Sequence, residues 1–341
     1  MASQAPQVAG IVSGQDMDAT AESIAALQIS SGMIEWFPGG HTDPWNHVEA
    51  AMALSCTGRF GEAEAAYQWL ADIQATNGSW HNYYVADGVE DDKIDTNTVA
   101  YIATGIWHHW LASGNRQFVD RFYSTVAQAI EFVLSLQTNR GEVIWARRPD
   151  ATPWSYALVT GSSSISHSLG CAVNLANLVG DQSRSEVWVR ARQRLVDVIA
   201  NQPEIFEPKE RWAMDWYYPV LTGAVRGDDG LKRMIDQWDK FVMPGKGVRC
   251  VSDQPWVTAA ETAEASMALL AIEETEKAVD LFRWAQAMRD TDGSYFTGLV
   301  HPELVTYPDG ERSAYSGAAM VLAADAIEGT SPTSHLFVDH R

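Results

Sequence analysis

Cysteine is scarce in this chain. There are three in 341 residues, Cys56, Cys171 and Cys250, widely separated and without a C-x-x-C pair. That excludes a disulfide framework and fits a reducing compartment. Basic residues are also few. Against 24 Lys and Arg stand 44 Asp and Glu, a formal net charge of −20 with a pI near 4.7. Such a balance argues against nucleic acid or an anionic membrane as partner, and the ordinary use of so much acid is solubility. Long apolar runs are missing. The opening MASQAPQVAGIVSGQDMD has no basic start and no apolar stretch of the secretory kind, and no later segment is long enough to span a bilayer. The expectation is a soluble, cytoplasmic protein. Clustered soft ligands for zinc are absent, and the acidic stretches match no calcium-loop spacing. No metal and no cofactor are expected.

What is present is helical periodicity and tryptophan. The chain is 46% hydrophobic, enough for a large core, and has 14 Trp, many in loops. Amphipathic stretches alternate with stretches rich in Ala, Gly, Ser and Thr that nearly lack Lys and Arg. The spacing predicts outer amphipathic helices over about 19–28, 59–74, 117–137, 184–200, 229–242 and 273–289. Inner, small-residue helices are predicted over about 44–57, 96–111, 164–178, from 215, 258–272 and 313–327. Residues 1–18 read as a loosely docked tail and 19–341 as a single domain. The unit is plainest at Gln74-Ala-Thr-Asn-Gly78-Ser-Trp80, the turn after the second outer helix. Its weaker copies are Gln137…Gly141 and Arg289…Gly293-Ser-Tyr295. Six such hairpins, with long loops entering the inner helices and short returns, make an all-α closed barrel whose loops gather at one mouth.

Collecting the residues at the start of each inner helix gives a consistent set. Carboxylates available for acid–base work are Asp43, Asp92, Asp95, Asp215 and Glu261. Asp43, Asp95 and Asp215 also stand where an N-cap belongs, and Glu261 follows Thr258 at capping-box spacing. Around them lie Trp36, His41, Trp45, His47, Trp80, His81, Tyr83, Arg147, Trp154, Tyr156, His167, Trp216, Tyr217, Trp256, Tyr295 and Tyr315. Aromatic faces interleaved with carboxylates, His and Arg suit a carbohydrate, whose C–H faces stack while its hydroxyls hydrogen-bond. Trp80, with Gln74, has a structural alternative: tying the outer helix to the turn. His108-His109 falls late in the second inner helix and reads as packing.

The six-hairpin pattern with the Gln74/Gly78/Trp80 turn resembles the (α/α)6 toroids. These include glycoside hydrolases and the squalene-cyclase and prenyltransferase group. A cyclase would need an Asp-x-Asp-Asp acid, and Glu90-Asp91-Asp92-Lys93-Ile94-Asp95 lacks that spacing. A prenyltransferase would need a zinc site, and Cys250-x-x-Asp253 has the wrong order. The hydrolase resemblance implies two carboxyl groups across a scissile bond, preferably one of Asp43, Asp92 or Asp95 with Glu261, and an inverting course. Among such enzymes the chain resembles the actinobacterial hydrolases of methylated mannose polysaccharides, which act as α-endomannosidases. That implies an α-linked oligosaccharide or polysaccharide as substrate. The alternatives are an isoprenoid protein with an apolar cavity and one buried acid, or a glycan-binding toroid without catalysis.

Overall fold

The computed structural model describes residues 5–339. Its fourteen helices are α1 (Gly14–Ala25), α2 (Pro44–Cys56), α3 (Phe60–Ile73), α4 (Thr96–Ala100), α5 (Ile102–Ser113), α6 (Arg116–Leu134) and α7 (Val159–Val179). They continue as α8 (Gln182–Asn201), α9 (Ala213–Leu221), α10 (Gly227–Asp236), α11 (Trp238–Phe241), α12 (Ala259–Leu270), α13 (Thr275–Ala285) and α14 (Ala314–Glu328). None is long and apolar enough to cross a membrane.

The inner helices close on themselves. α2 packs on α5, α5 on α7, α7 on α9, α9 on α12, α12 on α14, and α14 back on α2. Small residues make this possible. In α14 ten of the eleven buried positions are apolar, Gly or Ser, and in α2 Ala50, Ala51 and Ala53 are fully buried. Outside this ring stand α1, α3, α6, α8, α10 and α13, each packed on its inner partner. The result is an (α/α)6 toroid with one continuous apolar core.

The repeated turn is the strut between outer helices. Gln74 Nε2 donates to the Gly78 carbonyl (2.9 Å) within its own turn and to the Thr125 carbonyl (3.0 Å) of the next outer helix, α6. Gln137 does the same with Gly141 (2.8 Å) and Ala191 (2.9 Å) of α8. Gln28 bonds Gly32 and the Glu62 carbonyl of α3 in a further copy. The last copy closes the circle, since Arg289 Nη2 donates to the Asp16 carbonyl of α1 (3.0 Å). Glycine is required in these turns for two reasons. Gly78 has φ +88°, and a Cβ there would sit 2.3 Å from the Gln128 carbonyl oxygen.

Among the departures from the sequence-based boundaries, three concern α1 and the starts of two inner helices. The first helix begins at Gly14, inside the stretch expected to be a tail. Ser13 and Asp16 form a capping box there, and Ala5, Val8 and Val12 are buried against the core. The third inner helix begins at Val159, because Leu158-Val-Thr-Gly continues it without a cap signal. The fourth begins at Ala213 rather than Asp215, with Trp212 at the cap position.

Candidate active site

The inner helices start at one end of the toroid, and their N-cap residues are Asp43, Asp95, Leu158, Trp212, Thr258 and Ser313. Six residues further along, about 9 Å deeper at 1.5 Å per residue, stand Glu49, Tyr101, Ser164, Tyr218, Glu264 and Ala319. Between these levels lies a cavity of about 330 Å³. Five carboxyl groups line it, Asp43, Glu49, Asp95, Glu261 and Glu264, with Lys93 as its cation. Its rings are Trp36, Trp45, Tyr83, Trp256 and Tyr315.

Asp43 caps α2. Its Oδ1 accepts from the backbone N–H groups of Trp45 (2.8 Å) and Asn46 (3.1 Å). Its Oδ2 accepts from Trp36 Nε1 (3.1 Å) and the Asn46 side-chain amide (2.8 Å). Burial nevertheless pushes this carboxyl up to about 6, because all four donors are neutral and desolvation outweighs them. Asp95 caps α4 through the Asn97 N–H (2.9 Å), and its other oxygen accepts from Trp145 Nε1. Burial raises its pKa too, against the pull of Lys93. Glu261, in the first turn of α12, accepts from the Thr258 hydroxyl on Oε2. Thr258 therefore spends its hydroxyl on Glu261 and makes no cap bond to the backbone, so the expected capping box does not form.

Glu49 and Glu264 form the floor. Glu49 Oε1 accepts from Trp45 Nε1 (3.1 Å) and Tyr101 Oη (3.2 Å). Glu264 accepts from Tyr218 Oη (2.8 Å) and from Tyr217 Oη. Burial drives both carboxyls well upward. For Glu49 the charges of Glu264 and Asp43 add to the effect. Two buried acids that lie close to each other cannot both ionise cheaply. Trp45 lies over this floor, with ring centroids 5.7 Å from Tyr101 and 5.6 Å from Tyr218.

Of the residues expected from sequence, Asp43, Asp95, Glu261, Trp36, Trp45, Tyr83, Trp256 and Tyr315 meet at this cavity. Four more stand around it. His41 packs on Trp36 and Tyr83 (4.6 Å each) and pairs with Glu90 through Nδ1 (2.9 Å). Trp154 and Tyr156 pack on Trp145, which holds Asp95. Tyr217 reaches the site only through Glu264.

The others are elsewhere. Asp92 lies exposed in its loop, where its carbonyl, not its carboxyl, meets His81 Nδ1 (3.0 Å). Asp215 sits one turn into α9 but turns outward to Thr160 Oγ1 (2.6 Å), beside Trp216 and Arg233. Trp216 itself is buried and donates to the Arg233 carbonyl. Trp80 is buried and donates to the Leu70 carbonyl (2.8 Å), the structural use. His47 is held inside by the Ile34 N–H and the Ala66 carbonyl, and burial lowers it to about 4. His167 bonds the Leu336 carbonyl deep in the barrel, Tyr295 bonds Gln286, and Arg147 Nε bonds the Ala151 carbonyl. The sequence reading missed Glu49 and Glu264. Their signal was the shared offset of six from Asp43 and Thr258, on inner helices that carry few charges.

This geometry meets a matching set of relatives. No protein-family model matches the chain. It is 45% identical over 332 residues to the MMP endo-(1,4)-3-O-methyl-alpha-D-mannosidase of Mycolicibacterium hassiacum, covering 97% of this chain and 91% of that one. The chain belongs to this endo-mannosidase family. It is a glycoside hydrolase, and the isoprenoid and purely glycan-binding alternatives fall away. An uncharacterized glycosyl hydrolase of Methanocaldococcus jannaschii is 23% identical over 138 residues, 40% of this chain and 22% of that one. Solved structures with the same fold include a glycosidase (TM-score 0.76, 14% identity, 92% of this chain and 96% of that one). Another is the cellobiose 2-epimerase of Spirochaeta thermophila (TM-score 0.71, 13% identity, 93% and 95%).

Proposed function

We propose that the protein cleaves α-(1,4) links within a chain of 3-O-methylmannose residues, with inversion, and that Asp43 and Glu261 are its acid and base. The supporting observation is the cavity at the mouth, where carboxyls from α2 and α12 share one aromatic-lined space. The family relative supplies the sugar. A general acid works best with a pKa near the working pH, and Asp43 is the carboxyl raised to about 6. Its Oδ1 is committed to the α2 backbone, but Oδ2 is held in part by the Asn46 amide, a side chain that can turn away. Asp43 then gives its proton to the glycosidic oxygen as the C1–O bond breaks and the electron pair leaves with that oxygen. Glu261 takes a proton from water as the water oxygen bonds to C1 from the opposite face. An inverting course needs the two carboxyls about 6.5–9.5 Å apart to admit that water.

The floor has a different task in this reading. Glu49 and Glu264, held largely neutral, present hydroxyl-like donors and acceptors to sugar hydroxyls. Trp36, Trp45, Tyr83, Trp256 and Tyr315 stack on sugar faces. The test is hydrolysis of methylated α-(1,4)-mannan oligosaccharides, with products sized by chromatography and the first-formed anomer read by proton NMR. Internal cleavage giving the β-anomer supports the proposal. Release of single terminal sugars, or an α-anomer, overturns the endo or the inverting part. Undiminished turnover in Asp43→Asn or Glu261→Gln overturns the assignment of roles.

A further inference from the structure

A second cavity, of about 650 Å³, shares no lining residue with the cavity at the mouth. It is lined by the later part of α7 (His167, Gly170, Asn174), by α8, and by the turn after α9. His167 is nine residues past the Leu158 cap, roughly 14 Å along the helix. Two arginines converge on this space. Arg192 reaches inward from α8, its Nε donating to the Ser166 carbonyl (2.9 Å). Its guanidinium lies along α7 at Gly170, where a Cβ would meet Nε at 3.3 Å and Cζ at 3.4 Å. Arg226 stands at the cap position of α10, its Nε donating to the Gly223 carbonyl (2.7 Å). Each Nε is anchored on a backbone carbonyl, and both side chains line the cavity.

Neither guanidinium forms an ion pair among the described residues, in a chain with 44 acids to 24 bases. The acid on the cavity wall, Asp197, accepts instead from Asn201 Nδ2 (2.9 Å). The two cations also work against each other, since the charge of Arg192 adds to desolvation in lowering Arg226. Two like charges lining one concave space favour an anion placed between them. Guanidinium forks match the planar or tetrahedral oxygens of carboxylate and phosphate. The volume falls within the usual range for small-molecule sites, about 300–1,000 Å³.

We infer that this cavity binds a small oxyanion-bearing metabolite, a phosphate ester or a polycarboxylate, between Arg192 and Arg226. The site is separate from the glycan cavity, so its ligand does not compete with substrate. The test is thermal denaturation of the full chain titrated with inorganic phosphate, with citrate, and with chloride at matched ionic strength. The expected result is a saturable rise in Tm with phosphate or citrate and none with chloride. A rise with phosphate alone identifies a phosphate ester, and a rise with citrate alone a polycarboxylate. Arg226→Gln, at an exposed position, and Arg192→Gln should each abolish the saturable part while glycan hydrolysis persists. Should Arg192→Gln fail to fold, Arg226→Gln and calorimetry on the wild-type chain decide the question. No saturable rise and no heat with either anion, an equal rise with chloride, or a rise that survives Arg226→Gln would each overturn the inference.

Discussion

Replacing Asp43 by Asn should make the protein more stable and nearly inactive, and the stability gain should depend on pH. Burial holds the Asp43 carboxyl at about 6 against an ordinary 3.8. The native state therefore binds this proton more tightly than the unfolded chain does. The gap corresponds to about 3 kcal/mol, a cost absent below the unfolded value and fully developed once the pH has risen through about 6. Asn removes the ionisable proton while keeping a side-chain oxygen to cap the Trp45 and Asn46 amides, and Asn caps about as well as Asp. The bonds to Trp36 and to the Asn46 side chain survive only in part, so about 3 kcal/mol is an upper value. For 341 residues the entropy of unfolding is on the order of 0.7 kcal/mol/K, so the gain is up to about 4 °C in Tm. Calorimetry of the two proteins at pH 8 and at pH 4 is the assay. A gain at pH 8 that largely disappears at pH 4 is expected, together with a fall in kcat of about a hundred- to ten-thousandfold from loss of the acid. A Tm that falls at pH 8, or rises equally at both pH values, would refute the claim that Asp43 is an unwillingly buried charge.

Other outcomes follow from the same geometry. With Asp43 as the acid, kcat/KM should decline on the alkaline side above about pH 6, and a pH–rate profile of the wild type checks this. Glu261→Gln should remove turnover while leaving glycan affinity within about tenfold, read by kcat and by binding calorimetry on the variant. Gly78→Ala should cost about 2–4 kcal/mol, since it combines a left-handed φ of +88° with a 2.3 Å approach to the Gln128 carbonyl oxygen; urea denaturation measures it. His47 is held neutral, with its pKa lowered to about 4, so the native state resists protonation. The stability this contributes is present above about pH 6.5 and is lost as the pH falls toward 4. His47→Gln should flatten that acid limb in a series of Tm values between pH 4 and 7, at the expense of some stability at pH 7.

The toroid was legible because its signals are periodic. Small-residue helices alternate with amphipathic ones, and Gln74…Gly78 and Gln137…Gly141 mark the struts at a fixed place in the unit. The missed boundaries have local causes. Gly14 begins a helix through a Ser13/Asp16 box that stands before any apolar periodicity. Leu158 leads into α7 without a capping side chain. The site was half legible for a similar reason. Residues at the helix starts were gathered by position in the chain, and position alone does not say which way a side chain turns. Asp215 and Glu261 occupy the same level, three residues past Trp212 and Thr258. Yet Asp215 turns out to Thr160 and Glu261 turns into the cavity. His47 and Trp80 lie near the mouth in sequence, but backbone carbonyls claim their ring nitrogens.

The register of the inner helices explains why the active site must be read in layers. Six helices starting at one level place every residue at a given offset from its cap in one ring around the axis. The cap level holds Asp43 and Asp95, whose carboxyls are partly committed to helix N–H groups. The offset of three holds Asn46, Thr98 and Glu261. The offset of six holds Glu49, Tyr101, Tyr218 and Glu264, which bond one another in pairs across neighbouring or nearby helices. Burial, and for Glu49 the charge of Glu264, push the deep carboxyls well upward, so in the proposed reading they stay protonated and serve hydrogen bonding. Asp43 is just as buried but is pushed only to about 6, so in the proposed reading it exchanges its proton during turnover, with Glu261 in the same cavity. In that reading the division of labour among the five acids follows from their level on the inner helices and from the neighbours each level supplies. Exchanging levels tests it: Glu49→Gln and Glu264→Gln should weaken KM more than kcat and leave the alkaline limb of the pH profile in place, whereas Asp43→Asn should abolish that limb. If Glu49→Gln instead removes the limb, the acid sits on the floor and the layered assignment is wrong.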